Sequence, residues 1–580
     1  MGKFVRVDMS TLKVITEQVP EKYRLLGGRG LTSNLVADEV DPLCHPLGPA
    51  NKVVFAPGIV TGTAAPSSGR ISVGAKSPLT GGIKESNAGT PFSQKLARLG
   101  IKALVFEGLP ADPKKRYLLE LTAGGERLVE AGDLAGKGLE DTFAWLARKY
   151  PGQAYAGVGP AGETGLSMAG VCFNDLENRP SRYSGRGGLG AVLGRKGIKA
   201  IVVDDSGGPG VPLSQPEIFA GGARKVAEAL GQHGVTKPGG ALNSYGTAVL
   251  INLLNEVGGL PTRNFSSGVF EGAGKISGET LAATIKKRGG KGLTGHRCHT
   301  GCPIGCSNVY PRPNGQEHAS CVEYESDWAL GANCGIDNLD HIAEMIRMCN
   351  DYGIDTIETG VTLGVAMEAG LAKFGDGNRA IELVKEIGRN TPLGRILGNG
   401  AAFTGRAFGV LRVPTVKGQG MPAYEPRSVK GIGVTFVTSP MGADHTAGYT
   451  IASEITGVGG KTDPLSPKDK VGLSRNFQVA TAFIDASGYC LFIAFAIIDI
   501  PSGFVGVVET CNGVLGTAWT MDDVTRIGQE ILRTEIAFNR KAGFSAADDR
   551  PPEFMRREKL PPHGSVFDIS DKDLDEVLNF

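Results

Sequence analysis

Two stretches, KLARLGIKALVFEG at 95–108 and AVLGRKGIKAIVVDD at 191–205, carry one tetrapeptide at the head of an apolar run: Gly100-Ile101-Lys102-Ala103 and Gly197-Ile198-Lys199-Ala200. The likeness continues upstream. KESNAGTPFSQ (84–94) precedes the first and RYSGRGGLGAV (182–192) the second, while VFAPGIVTGT (54–63) answers YAGVGPAGETG (155–165). Each unit reads as strand, polar Gly-rich loop, short helix, strand. Such a diverged repeat predicts two related halves about an approximate two-fold axis. If the loops lead into helix N-termini with free N–H groups, an anion is favoured there. The repeat therefore predicts a site for two phosphates, or for two copies of one phosphorylated ligand.

Working outward, DDSGGPGVPLSQPE (204–217) is rich in Gly, Pro and Ser and reads as a linker. Beyond it, PEIFAGGARKVAEAL, DHIAEMIRMCNDYG and IETGVTLGVAMEAGLAKFG place apolar residues at helical spacing. KGQGMPAYEPRS (417–428) marks a second break, and the last section turns helical again in DDVTRIGQEILRTEIAFNRKAG. The expected class is α+β. A β-rich, two-sheet, pseudo-two-fold domain over 1–208 is followed by mainly helical domains over 209–417 and 418–580. A chain of 580 residues has room for such a division and for buried cofactors.

Bulk properties exclude more than they assign. Apolar content of 41% and charged content of 21% describe an ordinary globular protein. A net charge of +1 gives no bulk attraction to nucleic acid or to an anionic membrane. The N-terminus, MGKFVRVDMS, alternates like a strand and has no apolar signal core. The longest apolar run, Leu491 to Ile498, is too short to span a bilayer. Gly, at 86 residues, is in excess, which suggests tight turns and close backbone approaches to something large and rigid. Ten cysteines with three clustered argue against a secreted disulfide framework, so a cytoplasmic, reducing setting is the expectation.

Those three are Cys298, Cys302 and Cys306 in GHRCHTGCPIGCSN (295–308), with Cys490 alone far downstream in DASGYC. Three close thiols plus a distant fourth suit a four-iron cluster, since each iron takes one thiolate. Structural zinc competes for such donors, but zinc ribbons pair two close couples and no second couple is present. The trio of a radical enzyme that cleaves S-adenosylmethionine has a second gap one residue shorter. Cys44, Cys172, Cys349 and Cys511 read as small buried hydrophobes.

With these residues in view, the chain resembles the aldehyde:ferredoxin oxidoreductase family, whose members carry tungsten, less often molybdenum, on two pyranopterin dithiolenes beside a [4Fe-4S] cluster. VRVDMSTLKV, SSGRISVGAKSPLTGG, RGGLGAVLGRKGIKAI, LPTRNF, CPIGC, VEYESDWALGANCGI, MGADH, DASGYC and RPPEFM carry the resemblance in order from end to end. It implies that the repeat is a base for the bis-pterin, whose phosphates are bridged by magnesium and held by Asn87, Arg186 and Gly187. Arg70 would lie between cluster and pterin, where a guanidinium has donors for both phosphate and sulfur. Asp485 of DASGYC would accept from pterin N–H groups. Asn350 of NDYGID stands where the family often has Asp, and Asp355 is a second candidate for that role. The family spaces its trio by two and three residues; here the gaps are three and three. Either Cys298 reaches the cluster through a one-residue bulge or His299, in the expected position, is the ligand. Cys298 is favoured, because His ligation raises the potential of such a cluster.

The resemblance further places Glu325 of EYES and His445 of GADH next to the metal. Glu325 is expected to be the general base, with a pKa raised by burial, and His445 to hydrogen-bond the substrate oxygen or a metal-bound oxo group. Glu323 could exchange roles with Glu325. Cys321 could ligate the metal, as in related tungsten subunits that reduce aromatic acyl-CoA thioesters, whereas Cys334 reads as core. The implied activity is oxidation of a small aldehyde to its acid, with electrons passed to ferredoxin or to a partner iron–sulfur subunit. The alternatives are a related low-potential reductase acting on an aromatic acyl-CoA and a cluster-only electron carrier. Members of the family are often dimers; no residue pattern here bears on that.

Overall fold

Each unit of the repeat folds as a six-stranded sheet, and the two sheets have one topology. The computed structural model describes residues 2–580. In the first unit β1 (Lys3–Asp8), β2 (Lys13–Gln18), β3 (Val53–Pro57), β4 (Arg70–Lys76), β5 (Ile83–Gly89) and β6 (Ile101–Glu107) lie in the order β2-β1-β6-β3-β4-β5. In the second, β7 (Tyr117–Thr122), β8 (Gly125–Glu130), β9 (Ala154–Gly157), β10 (Val171–Asn174), β11 (Pro180–Ser184) and β12 (Ile198–Val203) lie as β8-β7-β12-β9-β10-β11. One pair in each sheet is parallel, β1 with β6 and β7 with β12, and the rest are antiparallel.

The repeated tetrapeptide has a structural reason. Lys102 and Lys199 are each the extra residue of a β-bulge in that parallel pair. The bulge puts Ile101 on the same face as Leu104 and Phe106, and Ile198 on the same face as Ile201 and Val203. Those inner faces share one core with the helices Pro91–Arg98 and Leu189–Arg195, where Phe55, Phe92 and Phe173 pack with ring centroids 5.3 to 6.5 Å apart. The alternate residues, Ala103 and Val105 or Ala200 and Val202, face outward under the helices Gly28–Glu39 and Leu139–Lys149. Burial on both faces makes these strands unbroken apolar runs.

The polar segments differ from their reading as loops. KESNAG is most of β5, and β11 ends on Arg182-Tyr183-Ser184. They are the edge strands of the two sheets and lie against each other. Both line cavities instead of core, so they lack the apolar alternation that marks a strand. At the helix starts, where an anion site is expected, N–H groups are engaged within the protein. Phe92 N–H is taken by Thr90 Oγ1 and Gly190 N–H by the Ala169 carbonyl, and neither helix start lines the cavities described below.

The rest is mainly helical. A three-stranded sheet, Leu293–His296, Ser307–Pro311 and Glu317–Ser320, carries the cysteine trio in the loop between its first two strands. Lys470–Ser487 packs on Gly28–Glu39 and on Met521–Lys541, so the C-terminal section embraces the first sheet. Arg29 locks this joint with buried ion pairs to Glu535 (2.8 Å) and Asp485 (3.3 Å). The segment that composition marks as a break at 417–428 is buried from Gln419 onward. Among the described residues no helix is long and apolar enough to cross a membrane.

Candidate cofactor site

Two adjoining cavities, of about 1030 and 990 Å³, open where β5 meets β11. The first is lined by Arg29, Arg70, Glu85, Asn87, Arg186, Asp355, Asp444, His445, Asp485 and Cys490. The second holds Cys298, Cys302 and Cys306 at one end and Glu325, Tyr424 and Tyr449 at the other. Arg70, Tyr183, His445 and Phe492 belong to both.

The thiols converge through the Ser67 loop of the first sheet. Ser67 N–H donates to the Gly301 carbonyl, and Ser67 O accepts from Cys490 N–H, so one residue ties the trio's loop to the fourth cysteine. Cys490 itself follows the end of the helix Lys470–Ser487, where Gly488 turns the chain in the left-handed region at φ 93°. Cys298 is pulled down to about 7 by the hydrogen bond from Cys302; burial opposes this, and the Arg182 and Arg70 charges add to it. His299 takes a different part. Its Nδ1–H donates to the Thr300 carbonyl (2.8 Å) and its Nε2 accepts from Gly69 N–H (3.3 Å), leaving no lone pair for iron although it stands close to Cys298 and Cys302. This arrangement favours Cys298 as the fourth thiol of the set.

A single hydrogen-bonded chain joins sulfur to the DASGYC aspartate. Arg70 donates to Cys490 Sγ (2.9 Å) and to Asn87 Oδ1 (3.1 Å), and Asn87 Nδ2 donates to Asp485 Oδ1 (3.2 Å). Burial raises the pKa of Asp485, which Arg29 opposes; Glu85 beside it is raised by burial and by the Asp485 charge. Arg186 reaches the same cavity, but three of its nitrogens serve the protein: Nε on Asp355 (3.2 Å) and the others on the Ala443 and Gly420 carbonyls.

Glu325 and His445 face each other. Glu325 lies in the first turn of the helix Tyr324–Leu330; its Oε2 accepts from Ala423 N–H (3.0 Å), and its Oε1 lies 3.5 Å from His445 Nδ1. Burial pushes Glu325 up to about 8 and His445 down to about 4, so near neutrality the proton resides on the carboxyl and the imidazole is uncharged. Asp444 is held low by Lys84 and Arg186 against the opposing effect of burial. Tyr424 and Tyr449, hydroxyl to hydroxyl at 2.9 Å, wall the pair with ring centroids 6.1 and 6.2 Å from His445.

The other candidates either line the cavities with their polar atoms already engaged, as Glu323, Asp355 and Cys321 do, or lie off them. Glu323 is occupied by Ser307 (2.6 Å) and Thr247 (2.8 Å), so it is not free to trade places with Glu325. Gly187 lines neither cavity; it sits under the Lys84 stem, which a Cβ there would strike. Asn350 lies in a smaller neighbouring cavity, donating to the Ser320 carbonyl (3.3 Å), while Asp355 caps the helix Thr356–Glu368 through Ile357 N–H (2.9 Å). Cys321 donates to the Ser181 carbonyl (3.1 Å) beside the trio, and Cys334 is core. Cys172, Cys349 and Cys511 are buried, and Cys44 is half-buried. Arg29, Lys84, Arg182 and Asp444 escaped the sequence reading, because their partners lie far off in the chain; Glu85 escaped it as well.

Comparisons with known proteins agree with this geometry. Residues 4–205 match the family model for the N-terminal domain of aldehyde ferredoxin oxidoreductase, and residues 222–579 that for its domains 2 and 3. The tungsten-containing aldehyde ferredoxin oxidoreductases of Pyrococcus furiosus and Thermococcus kodakarensis are each 36% identical, over 97% of this chain and 92% of their own lengths. The WOR-like subunit of the aliphatic sulfonate oxidoreductase of Pyrococcus furiosus is 24% identical. Among solved structures, the active-site complex BamBC of benzoyl coenzyme A reductase with 1,5-dienoyl-CoA shares the fold, with a TM-score of 0.80 at 17% identity over 99% of this chain and 93% of that one. Full-length kinship at that level, with both family models in register, makes this chain a member of the aldehyde ferredoxin oxidoreductase family.

Proposed function

We propose that the chain oxidises small aldehydes to carboxylic acids on a tungsten bis-pyranopterin, with a [4Fe-4S] cluster handing the electrons to ferredoxin or a partner iron–sulfur subunit. The carrying observation is the set of buried polar atoms that line the two cavities without a protein partner: Arg70 Nε, Glu85 Oε1, Glu325 Oε1 and His445 Nδ1. Leaving each unpaired would cost ~1–3 kcal/mol, so the cavities are built for a polar occupant. Four convergent thiols are the donor set of a four-iron cluster. The residues fit the family's cofactors. Cys298, Cys302, Cys306 and Cys490 would hold the cluster; Arg70, Asn87, Glu85 and Asp485 would meet the pterins, their phosphates and magnesium, with Arg186 adding fixed positive charge.

When bound, the tungsten group supplies a two-electron acceptor and the cluster a one-electron exit. The chain supplies the rest. Ionised Glu325 takes a proton at Oε1 from the water that attacks the aldehyde carbon. His445, neutral, hydrogen-bonds the aldehyde oxygen as negative charge develops there. Tyr424, Tyr449 and Phe492 line the approach and keep bulk water from the pair. A base held at about 8 is mostly protonated at pH 7, so oxidation should quicken from pH 7 to 9 and then level.

The test is anaerobic purification with elemental analysis, followed by dye reduction with aldehydes and, separately, with a dienoyl-CoA. Tungsten or molybdenum with iron, and reduction by aldehydes, is the expected result. Iron alone would support the electron carrier, and a response to the thioester alone would support the acyl-CoA reductase. Glu325→Gln should keep its metals and lose ~10²–10⁴ in turnover.

A further inference from the structure

We propose that Arg182, through its fixed charge and one unpaired N–H, holds the potential of the iron–sulfur cluster up, as a second cation beside Arg70. The inference rests on the cluster reading above. Arg182 projects from the edge strand β11 and is buried at the thiol end of the second cavity, whose wall it shares with Cys298, Cys302 and Cys306. Two of its nitrogens are anchored: one donates to His296 Nδ1 (2.7 Å), the other to Ser307 Oγ (3.2 Å). The third, Nε, is buried without any partner.

The anchors are themselves held. His296 Nε2–H donates to Glu177 (2.7 Å), which fixes the tautomer that leaves Nδ1 free to accept. Ser307 Oγ–H donates to Glu323 (2.6 Å). Among the described residues no carboxylate pairs directly with Arg182. A buried guanidinium with no carboxylate of its own is costly unless an anion faces it; the thiols share its wall, and Glu323, the carboxylate nearest on that wall, is already held by Ser307 and Thr247. Charge and hydrogen bonds to sulfur are the terms that set a cluster's potential. A buried cation beside the sulfurs, with an N–H left unpaired, stabilises the more negative, reduced state.

The test is a dye-mediated redox titration of the holoenzyme followed by the electron paramagnetic resonance of the reduced cluster, with iron counted per chain. Arg182→Met should shift the oxidised-to-reduced ratio at least tenfold toward oxidised, a fall of 59 mV for one electron. Arg182→Lys keeps a charge and loses Nε, so it should fall by less, in the same direction. A wild-type potential in iron-loaded Arg182→Met overturns the proposal. If Arg182→Met holds no iron, a wild-type potential in Arg182→Lys overturns it instead, leaving Arg182 a structural brace. A wild-type protein without iron would sink the cluster reading itself, a separate outcome.

Discussion

Counted back from the helices that follow them, β5 matches β11 and the turn after it residue for residue: Lys84 with Arg182, Glu85 with Tyr183, Asn87 with Gly185, Ala88 with Arg186 and Gly89 with Gly187. The strands hold equivalent places in sheets of one topology, yet no polar pair does the same work. The first edge presents Asn87 to Arg70 and Asp485 and sends Lys84 to Asp444. The second sends Arg182 toward the thiols and spends Arg186 on Asp355 and two carbonyls. Symmetry is kept where the core needs it, in the bulged strands and their phenylalanines. It is lost at the edges, where the two cavities make different demands.

The largest effects should separate the two arginines. Arg186→Met removes a cation balancing buried Asp355 and Glu358, and breaking such a set costs ~3–5 kcal/mol. Chemical denaturation of the cofactor-free chain should read that loss. Arg70→Met removes no carboxylate's partner, since its contacts are Asn87 and Cys490. It should leave unfolding near wild type and lower turnover by ~10²-fold or more. If both variants unfold alike, the division between brace and cofactor ligand fails.

What the sequence disclosed follows the same line. The tetrapeptide around Lys102 and Lys199 was legible because a bulge in a strand buried on both faces tolerates little change. The thiols were legible because sulfur chemistry demands cysteine, and Glu325 and His445 through family blocks alone. Arg29 with Glu535, Lys84 with Asp444 and Arg182 with His296 were not legible, because tertiary packing pairs them and neither partner stands out locally. The edge strands were misread because a strand that faces a cavity has no apolar face to show. Asn350 lies in a neighbouring cavity that shares Tyr183, Gly185 and Asp355 with the first, a position that motif spacing alone does not give.

The bulged lysines sharpen the comparison at a middle scale. Lys199 Nζ is buried and donates to Glu163 (2.6 Å) and to the Lys137 carbonyl (2.7 Å). Lys102 Nζ donates only to the Arg24 carbonyl (2.8 Å) on the wall of a surface cavity. Arg116 (3.0 Å) and Gly136 N–H (3.0 Å) also hold Glu163, so Lys199→Met leaves that carboxylate two partners and should cost ~2 kcal/mol rather than more. Lys102→Met should stay within ~0.5 kcal/mol. Equal losses would mean that the bulge itself, not the partner, makes lysine necessary.

The glycine pair, where the change is a single methyl group, tests the comparison most finely. Gly187 has φ 84°, so Ala there takes on a left-handed strain of ~1–2 kcal/mol and also strikes the buried stem of Lys84, which the ion pair to Asp444 holds in place. Gly89 has no such backbone demand; a Cβ there would instead lie 2.8 Å from Cys298 Sγ, tighter than any ordinary contact. Gly187→Ala should therefore lower unfolding stability while iron per chain stays at the wild-type level. Gly89→Ala should keep stability within ~0.5 kcal/mol and lose iron, because the displaced atom is a thiol that the cluster needs. Equal iron in the two variants would mean that Cys298 is not held against Gly89 in the loaded enzyme, and would return His299 to contention as the first ligand.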